Sequence, residues 1–244
     1  MMIEIHKYYS IAIVLILMCT SVSIHAQHTD ARKILENVAL FYKNTAQYQI
    51  DVTYNMHRGF TGNDITESYT GEMVKNGDFS KFKVLNSEII YFSDDQLTIL
   101  HGDKTIAYSK KADTPASSSP VEIDGFLKLY DQTAITEKNG QLICEMVSSK
   151  YNPNNPYGKV ILYINKDEYY IEKQELFFAE TIPFVDKKTN ERKSDVGRLV
   201  ILLKQNSLED QTTVTLEDYF TFSSDKKVIL SAKFSEYNFI NQAN

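Results

Sequence analysis

Tyr48 to Met56 reads YQIDVTYNM, with Tyr48, Ile50, Val52, Tyr54 and Met56 alternating with Gln49, Asp51, Thr53 and Asn55. Side chains of a strand point to opposite faces in turn, so this stretch predicts a half-buried β-strand with one apolar and one wet face. The same texture continues for about sixty residues. ESYTGEMV, FSKFKVL, EIIYFS, QLTILH and KTIAYS follow one another, separated by turn signals at Gly59 to Asn63, Asn76-Gly77, Ser93 to Asp95 and Gly102-Asp103. Short strands joined by short turns predict an antiparallel meander. Sixteen Tyr and thirteen Phe, with no Trp, suit such pleated surfaces.

Upstream, the chain opens with Lys7, an apolar run from about Ile11 to Val22 and a small residue at Ala26, which predicts a secretory signal peptide over 1–26, cut before Gln27. Met18 before Cys19 argues against lipid attachment there. The expected location is therefore the periplasm. Residues 27–244 are expected to form one domain, since no Pro-rich or Gly-rich tract divides them. Cys144 alone remains in that part, so no internal disulfide is available and packing must hold the fold. The formal charge of -6, without a basic stripe, disfavours a nucleic-acid partner.

From Thr29, placed to cap, Ile34, Leu35, Val38, Phe41 and Tyr42 recur at spacings of three and four and predict a helix ending near Asn44. DTPASSSP, 113–120, interrupts the strands, and IDGFLKLYDQ places Ile123, Phe126, Leu127 and Tyr130 at the spacing of a short amphipathic helix. The second half predicts strands in QLICEMVSS, KVILYIN, YYIEKQELFF, RLVILL, TTVTLEDYFTF and VILSAKFSEYNF. Val160 to Ile164 and Leu199 to Leu203 are apolar without alternation, as expected where both faces of a sheet are covered, and the two helices are the only covers the sequence supplies. The expected class is α+β and mainly β: one curved antiparallel sheet of about ten or eleven strands, which either curls round its helices or splits into a sandwich.

The order ILENVALFYKNTAQYQIDVTYNM, SYTGEMVKNGDFSKFKV, EIIYFSDDQLTILHGDKTIAYS, then a loop with a helix and further strands, resembles the periplasmic lipoprotein carrier (LolA-like) superfamily, best over 31–108. Gly71 stands at the family's second-strand glycine, and Gly102 to Tyr108 resembles its short strand ending in Tyr. The resemblance implies an unclosed barrel with helices as a lid over an apolar cavity, and lipid or lipoprotein acyl chains as cargo. It also implies that the arginine holding the lid is replaced here by Lys81 or Lys83.

A carrier has a definite physical task. About fifteen methylenes cost roughly 0.8 kcal/mol each in water, about 12 kcal/mol in all, which only an apolar cavity offsets. The candidate lining is Tyr48, Ile50, Val52, Tyr54, Tyr69, Met73, Phe82, Val84, Ile90, Phe92, Leu97 and Ile99, with Phe126, Leu127 and Tyr130 on the lid. Each of these is also what an ordinary core would use. The alternative function is an envelope interaction or sensing module on the same fold that carries no lipid. Partners on inner or outer membranes fit either reading, and a monomer is expected.

Enzymatic chemistry finds little footing. His28, His57 and His101 are isolated, with no metal-ligand spacing, and Asp94-Asp95 falls in a turn signal. No phosphate loop or nucleophile elbow is present, and no cofactor is expected. Cys144 in LICEMV reads as a small buried hydrophobe. Asp186 to Asp195, DKKTNERKSD, reads as a solvated hairpin tip or as a basic contact for anionic head groups or a partner.

Overall fold

The computed structural model describes residues 23–110, 127–150, 152–186, 189–206, 214–225 and 227–243, with the side chains of the helix described from residue 31. The predicted leader up to residue 22, and residues 123–126 of the predicted second helix, Phe126 among them, therefore lie outside the described residues. Helix α1 (Ser23–Asn44) runs through Thr29 instead of starting there, because the residues on both sides are helix-compatible and none is Pro or Gly. It ends as expected: Thr45 turns back and bonds the Phe41 carbonyl with both its amide, at 2.9 Å, and its hydroxyl, at 2.7 Å. Ala31, Leu35, Val38 and Tyr42 form its fully buried stripe.

Six strands follow as a meander: β1 (Gln47–Arg58), β2 (Ile65–Asn76), β3 (Phe79–Val84), β4 (Ser87–Tyr91), β5 (Asp95–Leu100) and β6 (Thr105–Lys110). Four more pair in sequence, β7 (Gln132–Lys138), β8 (Gln141–Val147), β9 (Tyr157–Asn165) and β10 (Ile171–Phe178). A hairpin, β11 (Ile182–Val185) with β12 (Arg192–Asp195), then leads into β13 (Gly197–Asn206). β13 pairs β1 on one side and β10 on the other, joining the halves. A small hairpin of β14 (Phe220–Phe222) and β15 (Val228–Leu230) follows, and β16 (Asn238–Asn241) pairs in parallel with β6. The main sheet has twelve strands in the order β16-β6-β5-β4-β3-β2-β1-β13-β10-β9-β8-β7, and it curves without closing.

Two predicted strands are corrected. TTVTLEDYFTF and VILSAKFSEYNF are not long sheet strands: in their described parts they make 3-10 turns at Leu216–Asp218 and Ala232–Phe234 between the short strands β14, β15 and β16. Their aromatic residues are spent on packing against the sheet from outside it. β7, not expected from sequence, is a largely polar edge strand whose turn into β8 is Asn139-Gly140, both at positive φ.

Directly opposed residues of an antiparallel pair share a face, so the register carries one face across the sheet. Ile50 opposes Met73, Met73 opposes Phe82, and Phe82 opposes Ile89. This is the face of α1. The core beneath the helix joins Leu35, Val38 and Tyr42 to Ile50 and Val52 of β1, Met73 of β2, Leu203 of β13, Leu176 of β10, Leu162 of β9 and Cys144 of β8. From β2 to β8 that is six adjacent strands, about 24 Å of sheet against a helix about 10 Å wide. A flat sheet could not bring them all to one helix, so the sheet wraps it.

On the opposite face a second core lies over β4, β5 and β6, where Ile90, Leu97, Ile99, Ile106 and Tyr108 pack with Tyr219, Phe220 and Phe234 of the C-terminal segment. The cover of the second face is thus this segment, where the sequence offered only helices. Nor are Val160 to Ile164 and Leu199 to Leu203 sealed on both faces. Val160, Leu162 and Ile164 are buried, whereas Ile161 and Tyr163 are half-buried and Leu202 is 41 % exposed. Long side chains give partial shelter: the Lys173 ammonium lies 3.6 Å from the Tyr163 ring centre and that of Lys159 lies 4.4 Å from Phe177.

Candidate functional site

The register separates the predicted lining into two groups. Tyr48, Ile50, Val52, Tyr54, Tyr69, Met73, Phe82 and Val84 share the helix face. Leu127 and Tyr130, the described members of the predicted lid, join the core beneath that face. Ile90, Phe92, Leu97 and Ile99 do not: Lys81, which opposes Ile90, and Lys83, which opposes Glu88 and through it Ile99, belong to the face of Val74 and Glu72. These four pack in the second core, Phe92 beside Phe79 and Tyr219. The consecutive isoleucines of EIIYFS hide the phase of that strand, and Ile89, not Ile90, proves to be the helix-side residue.

Along the helix face, burial falls in one direction. Ile50 is 0 % exposed, and Val52 and Met73 are buried around it. Farther on, Tyr54 and Phe82 are half-buried, while Tyr69 and Val84 reach 39 % and 38 % exposure and Ile89 is similarly open. The apolar surface therefore runs past the area that α1 covers. Gly71, opposite both Val52 and Val84, keeps this rim smooth. A Cβ there would meet the Lys83 carbonyl oxygen at 2.5 Å and the Tyr54 ring at 3.3 Å.

Tyr42 pins the helix to the sheet. Its hydroxyl accepts from the Ile171 amide of β10 at 3.2 Å, and its ring meets Tyr48 of β1 edge-on at 5.8 Å and Phe41 at 5.1 Å. Burial raises the pKa of the Tyr42 phenol strongly and that of Tyr48 to about 12. The cation at the helix terminus is Lys75 of β2, whose ammonium donates to the carbonyls of Tyr42 at 2.8 Å and Lys43 at 3.1 Å. It satisfies carbonyls at the negative end of the helix dipole, and desolvation lowers its pKa. Lys81 and Lys83, the expected holders of the lid, are on the other face and pair with Glu72 at 2.9 Å and Glu88 at 3.6 Å. The signal for Lys75 was its place opposite Tyr48, one residue beyond the apolar part of ESYTGEMV.

A shallow groove of about 410 Å³ lies beside the same end of the helix, between Leu40, Phe41 and Thr45 and the β9–β10 turn at Glu168 and Tyr169. Polar groups elsewhere serve the fold. His101 bridges Tyr237 at 2.8 Å and Glu88 at 3.0 Å, tying the C-terminal segment to the sheet, and Asp95 accepts from Tyr108 and Lys110 at 2.7 Å each. His57 is buried opposite Arg198, and burial, then that charge, lowers its pKa. Cys144 is buried, its thiol pushed up to about 12 by desolvation. Among the described residues no group of three or more His, Cys, Asp or Glu is placed to hold a metal ion, and no helix is long and apolar enough to cross a membrane.

No family model and no curated protein matches the chain. By structure it is similar to a LolA superfamily protein from Nitrosomonas europaea, with 12 % identity, a TM-score of 0.32 and coverage of 75 % of this chain and 94 % of that one. It is similar also to the lipoprotein LppX of Mycobacterium tuberculosis, with 9 % identity, a TM-score of 0.37 and coverage of 75 % and 98 %. An uncharacterised conserved protein of Thermus thermophilus matches with 12 % identity, a TM-score of 0.39 and coverage of 87 % and 99 %.

Proposed function

We propose that this protein is a non-enzymatic binding protein of the cell envelope that holds the acyl chain of a lipid or lipoprotein on the helix face of its sheet. The observation that carries the reading is the gradient of burial on that face: a continuous apolar surface that is sealed at Ile50 and open at Tyr69, Val84 and Ile89. An acyl chain laid along the open rim is withdrawn from water at about 25 cal/mol per Å² of apolar surface covered. Tyr54 and Phe82, half-buried at the edge of the helix, supply the inner wall. Displacement of α1 would extend the same surface over Val52, Ile50 and Met73, which makes the helix a removable cover as the LolA-like resemblance implies. In this reading the protein is exported to the periplasm and acts as one domain.

One specific observation favours the second reading, an interaction or sensing module without lipid: beneath the seated helix the core is filled, and Ile50, Leu162 and Cys144 have no exposed surface. The experiment separates them. A fluorescent fatty-acid probe should bind the folded chain with one-to-one stoichiometry, and Val84→Lys with Tyr69→Lys should abolish that binding while leaving the circular dichroism unchanged. If the folded wild-type chain binds no probe at micromolar concentration, the rim is a protein-contact surface and the lipid reading fails.

A further inference from the structure

The row that leads from Ile50 through Met73 and Phe82 does not stop at Ile89. It continues over Thr98 of β5 and Ala107 of β6 to Ile240 of β16. The next row runs from Val84 through Ser87 and Leu100 to Thr105. The helix side of β3, β4, β5 and β6 is therefore a mixture of apolar groups, hydroxyls and one amide, Gln96, and none of its residues is buried.

The charges of these strands all lie on the other side. Lys81 opposes Ile90, Lys83 opposes Glu88 and Asp95 opposes Lys110, so all five charged residues of β3, β4, β5 and β6 share the face of the second core. An antiparallel sheet with one open face ordinarily does the reverse and puts its charges on the open side. An ion laid on this open face would give up hydration and meet no counter-ion from these strands. The flanking strand β2 does not supply one either. Glu67, on the helix side opposite Met56, accepts from the Tyr69 hydroxyl at 2.5 Å, so the charge at the open rim is an acid that repels a carboxylate or phosphate. Lys75, opposite Ser80, is the cation of that side, and its ammonium is engaged by the carbonyls of Tyr42 and Lys43.

We propose, on the acyl-chain reading of the same face, that its ligand has an uncharged polar part: a glyceride, with esters and hydroxyls, in preference to a phospholipid or a free acid. The chain lies against Tyr69, Val84 and Ile89. The esters and hydroxyls reach Ser87 and Thr98, whose own hydroxyls can both donate and accept.

The test uses the full chain in high salt, where its formal charge of -6 no longer repels anions at a distance. The probes are a fluorescent fatty acid and its methyl ester, kept below their micelle concentrations. The ester should bind at least about tenfold tighter, since only the acid brings a charge to a surface without a counter-ion. Monoacylglycerol should displace the ester, and lysophosphatidate of the same chain length should need a concentration at least about tenfold higher. Thr98→Lys puts a cation on the open face and should close or invert both differences, whereas Lys81→Met, on the other face, should leave them as they are. Ser87→Lys takes the place of Thr98→Lys if that variant does not fold. Equal affinities for acid and ester, or differences that survive the lysine in a folded chain, overturn the glyceride proposal and leave the acyl-chain reading standing. Binding of neither probe overturns both and leaves the face to a protein partner.

Discussion

The ammonium of Lys75 on β2 donates to the main-chain carbonyl of Tyr42 at 2.8 Å, so the last turn of the only long described helix is held by a side chain thirty-three residues away. A hydrogen bond from a charged donor is worth roughly 1.5–3 kcal/mol. Lys75→Met should cost about that much in denaturant unfolding and should raise amide exchange over residues 38–44. Lys81→Met and Lys83→Met break partly exposed ion pairs on the other face and should each cost under about 1 kcal/mol. Equal effects at the three lysines would remove Lys75 from its place as the holder of the helix.

A pair of charge insertions probes the gradient on the helix face. Val52 is sealed beneath the helix, and a lysine there is buried without a partner, a cost of several kcal/mol that rivals the stability of a whole domain. Val52→Lys should therefore be protease-sensitive and unfolded. Val84→Lys, two strands along the same row, should fold with a melting temperature near wild type.

Alkaline pH should loosen both cores, because burial raises Tyr42 and Tyr48 on the helix side and Tyr219 in the second core. Tyr42 and Tyr48 have pKa values raised above the ordinary 10.0 by burial, so the unfolded chain releases those protons first. The folded state then binds more protons than the unfolded one, and stability, complete below pH 10, falls as pH rises toward the folded value of about 12 at Tyr48. Lys75, lowered by desolvation, works in the opposite sense, but Tyr54, Tyr130, Tyr157 and Tyr219 are raised by burial as well. Tyr48→Phe should flatten the decline in a series of urea titrations above pH 10.

The Cys144 thiol offers a reporter of unfolding. It is buried and its pKa is pushed up to about 12, so almost no thiolate exists at neutral pH. A thiol reagent should modify it only in denaturant, with a rate that tracks global opening. Fast modification of the native chain at neutral pH would mean that the sheet opens at β8 and β9.

Much of this fold was legible because its signals are local. YQIDVTYNM has an unambiguous period of two, Asn76-Gly77 closes the β2–β3 hairpin with a positive φ at Gly77, and Leu35, Val38 and Tyr42 mark the helix stripe. What was not legible depended on partners distant in sequence. Ile89 and Ile90 are interchangeable by pattern, and only the register with Phe82 assigns one to each face. Phe234 sits in a stretch that alternates like a strand, yet it lies in a 3-10 turn, where its burial in the second core outweighs local β-preference. Lys75 was hidden because a lysine at the end of a strand is ordinarily a solvated one.

The parallel pairing of β16 with β6 has a consequence in time. Thr105 to Tyr108 are made more than a hundred residues before Asn238 to Asn241, the strand that completes their edge. A chain emerging N-terminus first must hold Ile90, Leu97, Ile99 and Ile106 bare on one side until Tyr219, Phe220 and Phe234 have been made. For that interval the first hairpins are a sticky, half-dressed sheet that a ribosome-bound or translocating chain must keep from its neighbours. A chain stopped before Ala232, without Phe234 and β16, would make the interval permanent, and the product would be collected as aggregate, not as a slightly smaller protein.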